Sequence, residues 1–108
     1  MEYTITDEGK HKIIALKGEL DLYKTGKLKR ELIEVLDDDV DSLVIDMSDL
    51  KYMDSSGIAL MAFLQKQMKK QEGAFAFLKV NNEILNVLKL AALDNFFTIY
   101  DSRDQIPD

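Results

Sequence analysis

Asp54-Ser55-Ser56-Gly57 sets a carboxylate and two hydroxyls directly before the apolar run Ile58 to Leu64. Two kinds of chemistry suit that order. The first N–H groups of a helix have no partner inside it, and a side-chain oxygen of Asp54 or Ser55 can accept from N–H groups two or three residues on. The same helix start carries a partial positive charge, and its free N–H groups suit a phosphate. A serine there precedes the helix instead of sitting inside it, and Gly57 is expected to leave it accessible. Asp54, Ser55 and Ser56 are therefore candidates for a cap, and the serines for a phosphoacceptor.

A phosphate here has enough charge to act as a switch. It adds about −1.5 to −2 charges. A hundredfold change in affinity needs about 2.7 kcal/mol. Placing that phosphate ~6 Å from one partner carboxylate, at an effective dielectric of about 40, costs roughly 3 kcal/mol. No refolding of the domain is required.

Other chemistry finds little support in the pattern. The single histidine, His11, lies at a turn-to-strand junction and reads as a surface residue, with nothing to join it to Ser55 or Ser56. The segment lacks the first glycine of a G-x-S-x-G nucleophile elbow. Asp37 to Asp41 has no central glycine for a calcium loop. No phosphate-binding glycine loop is present, and with no cysteine there is no thiolate metal site, disulfide or cysteine nucleophile. No cofactor is expected. One alternative stays open: Asp46 closes an apolar strand and is placed to accept a phosphoryl group as in receiver domains, with Asp7-Glu8 for Mg²⁺ and Lys79 after a later strand.

The elements that must position these residues follow from periodicity. Tyr3 to Thr6, the turn Asp7 to Lys10, and His11 to Leu20 predict a hairpin. Thr25 to Leu36 predicts a helix with Leu28, Leu32, Val35 and Leu36 on one stripe, stopped by the acidic run Asp37 to Asp41. Ser42 to Met47 predicts a strand covered on both faces. A loop over 48–56 and a helix over about 57–71 follow, then a strand at 74–80. A helix capped by Asn81-Asn82 comes next, with Ile84, Val87, Leu88 and Ala91 on one face, then a strand at 96–100 and a short helix at 102–106. Such alternation gives an α/β domain, 1–108, with a mixed, mostly parallel sheet opened by a hairpin and packed by about four helices.

The 108 residues suffice for one core. Net charge is −6, all of it in residues 1–54, where 14 acidic residues face 8 basic ones. That balance disfavours direct nucleic-acid binding, which needs clustered Lys and Arg. The polar N-terminus lacks a signal peptide's pattern, and no apolar run reaches the ~20 residues of a membrane span. A cytoplasmic protein with no membrane partner is expected. A monomer is expected too, with no apolar stripe left over once the sheet is covered.

Three segments resemble the STAS domain family, specifically the free-standing bacterial anti-sigma factor antagonists. Gly18-Glu19-Leu20-Asp21 is similar to the family's G-E-L/I-D after the second strand. Leu43 to Gly57 resembles its strand, loop and D-S-[STA]-G phosphorylation motif, and Leu90 to Phe97 its late helix and return strand. The resemblance implies a non-enzymatic binding module. Unphosphorylated, it would bind an anti-sigma factor that is also a serine kinase, and so free the sigma factor. Phosphorylation at Ser55 or Ser56 would break the complex, and a PP2C-type phosphatase would restore it. By the same resemblance Asp21, Asp54 and Gly57 belong to the switch loop, with Ser55 favoured over Ser56. A scaffold role in a stressosome-like assembly is the other function the resemblance leaves open. Two departures stand out: Ala59 replaces the second glycine of G-L-G, and Ala92 stands where many members have glycine, which suggests a longer late helix.

Overall fold

The computed structural model describes residues 1–37 and 39–108. The elements run β1 (Glu2–Glu8), β2 (His11–Leu20), α1 (Leu22–Val35), β3 (Ser42–Met53), α2 (Ser55–Lys70), β4 (Ala74–Leu78), α3 (Asn82–Leu90) and β5 (Ile99–Tyr100). The strands form one sheet in the order β1-β2-β3-β4-β5, with β1 antiparallel to β2 and all other neighbours parallel. Gly9, at φ +60°, supplies the left-handed residue of the two-residue hairpin loop.

Alternation along the strands sorts side chains to two faces. Ile14, Leu16, Leu43, Ile45, Met47 and Phe77 meet the buried stripes of all three helices. On the other face Ile13, Val44 and Leu78 pack with Ile106 of the C-terminal segment, with Tyr100 beside them. Cover on both faces of β3 is thus real but unequal.

Several boundaries differ from the sequence expectation. The described residues form three α-helices, because the expected fourth is a single 3-10 turn at Arg103–Gln105. α1 begins at Leu22 because Asp21 caps it. β3 continues to Met53 through residues expected to be a loop. Leu50 and Met53 point inward while Asp49, Lys51 and Tyr52 face solvent, so this tail looks polar in sequence. β2 keeps pace with it through two register shifts, one beside Gly18 at φ +97°. The strand expected at 96–100 shrinks to Ile99–Tyr100, since Phe97 turns in to stack with Phe75 and Phe77. Of the acidic run after α1, Asp38 lies outside the described residues.

α3 is not lengthened by Ala92. It ends at Leu90 in a Schellman turn, with the Leu93 N–H on the Leu88 carbonyl (2.8 Å) and the Ala92 N–H on that of Lys89 (3.0 Å). Ala92 itself takes the left-handed conformation, φ +59°. No helix is long and apolar enough to cross a membrane.

Candidate functional site

All three helices start at the carboxyl ends of parallel strands, and each start is capped by an Asp or Asn side chain. Asp21 follows β2, Asp54 follows β3 and Asn81 follows β4. Crevices outside the carboxyl ends of strands are the usual site position in such sheets. Leu20 and Met53 are direct partners, and the Asp54 N–H extends the pairing to the Leu20 carbonyl (3.1 Å). This is what brings Asp21 and Asp54 side by side.

Asp54 joins two helices. Its Oδ1 accepts from the N–H groups of Ser56 (2.9 Å) and Gly57 (3.2 Å), and from the Ser56 hydroxyl. Its Oδ2 accepts from the Leu22 N–H, the first residue of α1 (3.1 Å). Asp21 caps α1 more locally, accepting from the Tyr23 N–H (3.0 Å). The Ser56 hydroxyl holds the Asp54 carboxyl below the usual carboxylate range. Partial burial opposes this, and the N–H groups of Gly57, Leu22 and Ser56 reinforce it.

The two serines are not equivalent. Ser56 is half-buried, and its hydroxyl is committed to Asp54. Ser55 is exposed, and among the described residues its hydroxyl has no hydrogen-bond partner. Of the N–H groups that sequence reasoning offered to a phosphate, those of Ser56 and Gly57 are already taken by Asp54 Oδ1, and that of Ser55 has no acceptor among the described residues. A charge added at Ser55 would face outward.

Gly57 has a different role from the one expected. It is buried, and a Cβ there would stand 2.9 Å from Met53 Cβ and 3.3 Å from the Leu20 side chain. Its missing side chain allows the first turn of α2 to close on the two strand ends.

Sequence reasoning missed the apolar rim. Leu22 and Tyr23 are 70% and 92% exposed beside these helix starts, and Tyr52 is 40% exposed. Leu90 and Phe96, further off, are also exposed. The signal lay in Leu22-Tyr23: two large apolar residues directly after the Asp21 cap, off the stripe that Leu28 and Leu32 bury.

The other candidates separate from this site. Asp46 lies within β3, not at its end, and accepts from the Ser48 N–H (2.9 Å). Asp7 pairs with Lys12 (2.8 Å) at the opposite end of the sheet; Lys79 follows Leu78, the register partner of Asp46, but among the described residues no acidic group gathers at Asp46 to hold a metal ion. His11 is buried, not a surface residue; its Nδ1 shares a hydrogen bond with Ser42 Oγ (2.7 Å), while Nε2 has no partner among the described residues. Among the described residues no group of three or more His, Asp or Glu is placed to hold a metal ion.

Comparison with known proteins gives consistent results. The family model for the STAS domain matches residues 3–106. An anti-sigma F factor antagonist of Paenibacillus polymyxa is 26% identical over 91 residues, covering 83% of this chain and 78% of that one. An anti-sigma-B factor antagonist of Bacillus subtilis is 26% identical over 86 residues, covering 80% and 78%. Unphosphorylated SpoIIAA, an anti-sigma factor antagonist, superposes with a TM-score of 0.79 at 17% identity, covering 95% and 91%. The same Bacillus protein has also been solved phosphorylated.

Proposed function

The chain belongs to the STAS domain family, and from that premise we propose that it is an anti-sigma factor antagonist switched at Ser55. Unphosphorylated, it binds an anti-sigma factor with serine kinase activity and frees the sigma factor. The kinase then modifies Ser55, and a PP2C-type phosphatase reverses the modification. The chain is thus ligand and substrate, not enzyme. The switch loop comprises Asp21, Asp54, Ser55, Ser56 and Gly57, with no cofactor, and the protein acts as a cytoplasmic monomer.

One observation carries the choice of serine: Ser55 is exposed with an uncommitted hydroxyl, whereas that of Ser56 is bound to Asp54. Names support the wider reading, since relatives are antagonists of anti-sigma factors and SpoIIAA exists in both phosphorylation states. Physically, the phosphate joins a carboxylate held ionised and finds the N–H groups of Ser56 and Gly57 taken. Its charge therefore falls on whatever is docked against Leu22 and Tyr23.

The test is phosphopeptide mapping after incubation with each anti-sigma kinase of the host, ATP and Mg²⁺. Phosphate is expected on Ser55, retained in Ser56→Ala and lost in Ser55→Ala. Phosphate on Ser56 in the wild type would overturn the site assignment. Ser55→Asp is expected to weaken the kinase complex about a hundredfold, about 2.7 kcal/mol; unchanged affinity would remove the electrostatic mechanism.

A further inference from the structure

Charge in this molecule is sorted by layer. α1 and α2 carry seven basic residues, four on α1 and three on α2, against Glu31 and Glu34, a net of +5. The chain holds 14 basic and 20 acidic residues in all. Subtracting those two helices leaves 7 basic and 18 acidic residues elsewhere, a net of −11. Among the described residues the ion pairs use Lys12, Lys17 and Arg103, none of them on α1 or α2. Among the described residues no cation of α1 or α2 forms an ion pair.

Of those cations, Lys29 and Arg30 border a groove between α1 and α2, made of two pockets that meet at Phe63. Its head, beside Ser56, is lined by Gly26, Lys29, Ala59 and Phe63. Its foot, about 180 Å³, is lined by Ile33, Leu36, Met68 and the same Phe63. Lys29 Nζ stands 4.0 Å from the centre of the Phe63 ring. Arg30 reaches back over Gly26, its Nη1 3.7 Å from where a Cβ would stand. Ile33 is 48% exposed at the groove's edge. The groove thus opens at the switch and runs away from it.

We infer that this groove docks an acidic polypeptide segment bearing an apolar anchor, presented by the partner that phosphorylates Ser55. The inference rests on the antagonist reading for the partner's identity, but its chemistry comes from the charge and shape of the groove. Acidic side chains meet Lys29 and Arg30, and the anchor enters beside Phe63 and Ile33. Nucleic acid fits less well. A duplex carries one charge per ~1.7 Å and would be repelled by the acidic remainder of the chain, while leaving an apolar groove unfilled. Opposed charge across an interface mainly speeds encounter and sets orientation. The groove would deliver the kinase to Ser55 already aligned.

Two arms test this. In the first, a synthetic Glu-rich amphipathic peptide carrying leucines is titrated by fluorescence anisotropy at low and moderate salt. Wild type is expected to bind it at least tenfold more tightly than K29E/R30E, and tenfold more tightly than it binds the same peptide with serine for leucine. Equal affinities, or tighter binding to a DNA duplex or to phosphatidylglycerol vesicles, would overturn the inference. In the second arm, K29E/R30E is offered to the kinase that phosphorylates the wild type. KM is expected to rise about tenfold with kcat kept and the circular dichroism spectrum unchanged. An unchanged KM with Ser55 still modified would overturn the docking and leave the antagonist reading intact. Failure of every host kinase to modify or bind the wild type would overturn the antagonist reading, and the peptide arm would still decide the docking.

Discussion

The two ends of the sheet solve the same problem differently. At the carboxyl ends of β2, β3 and β4 the chain turns into helices, and Asp21, Asp54 and Asn81 take up the free N–H groups of each start. At the opposite end His11 and Ser42 form a buried polar pair, and among the described residues one ring nitrogen is left without a partner. Around it lie Asp7, Lys10, Asp37, Asp39 and Asp41, mostly in solvent. The first end is over-determined by short hydrogen bonds and close packing. The second is held by different means: the His11–Ser42 pair, the Lys12–Asp7 pair, and Gln71 Nε2 donating to the carbonyls of Asp37 and Val40 (2.9 Å each). Side-chain caps on helix starts are what set apart the end that carries the serines.

The sharpest way to break this contrast is to fill the close approach at Gly57. Gly57→Val forces β-carbons onto Met53 and Leu20, and is expected to destabilise the fold by about 3 kcal/mol in urea unfolding. Asp54→Ala comes next, at about 2 kcal/mol, because one cap is lost from two helices. Its pH dependence sharpens the point. The folded-state pKa of Asp54 is lowered, so its contribution is present above the ordinary carboxylate value of ~3.9 and is lost as pH falls toward the lower folded value. The alanine variant should show a shallower loss of stability in that acid window. At the other end, Ser42→Ala removes the partner of His11 Nδ1, with an expected cost of about 1–2 kcal/mol by the same measurement. A cost equal to that of Asp54→Ala would contradict the contrast. The smallest effect is a gain. Ala92→Gly relieves a left-handed alanine, and should raise stability by about 0.5–1 kcal/mol.

The sequence already showed much of this, because local signals agree with the fold. The hairpin, the strand at Ser42, the apolar first half of α2 and the Asn81 cap were all readable from spacing. Asp54-Ser55-Ser56-Gly57 was readable as a helix start. Three things were not. The tail of β3 hid because Ser48, Asp49 and Lys51 face solvent while only Leu50 and Met53 turn inward. The roles within the site depend on contacts across the sheet: Asp54 reaching Leu22 spans 32 positions, and Gly57 is constrained by Leu20. His11 looked like a surface residue because its burial comes from β3 and from a C-terminal segment distant in sequence. Charge misled in a related way. Divided by sequence halves it suggested an acidic protein with a neutral second half. Divided by layers it reveals a cationic pair of helices.

The double attachment of Asp54 has a dynamic consequence. Opening the first turn of α1 releases Leu22 from Oδ2, and opening that of α2 releases Ser56 and Gly57 from Oδ1. Either motion unsettles the carboxylate that the other helix depends on. The amides of Leu22, Ser56 and Gly57 should therefore exchange with deuterium as one cooperative unit, at a shared opening free energy, rather than as two fraying ends.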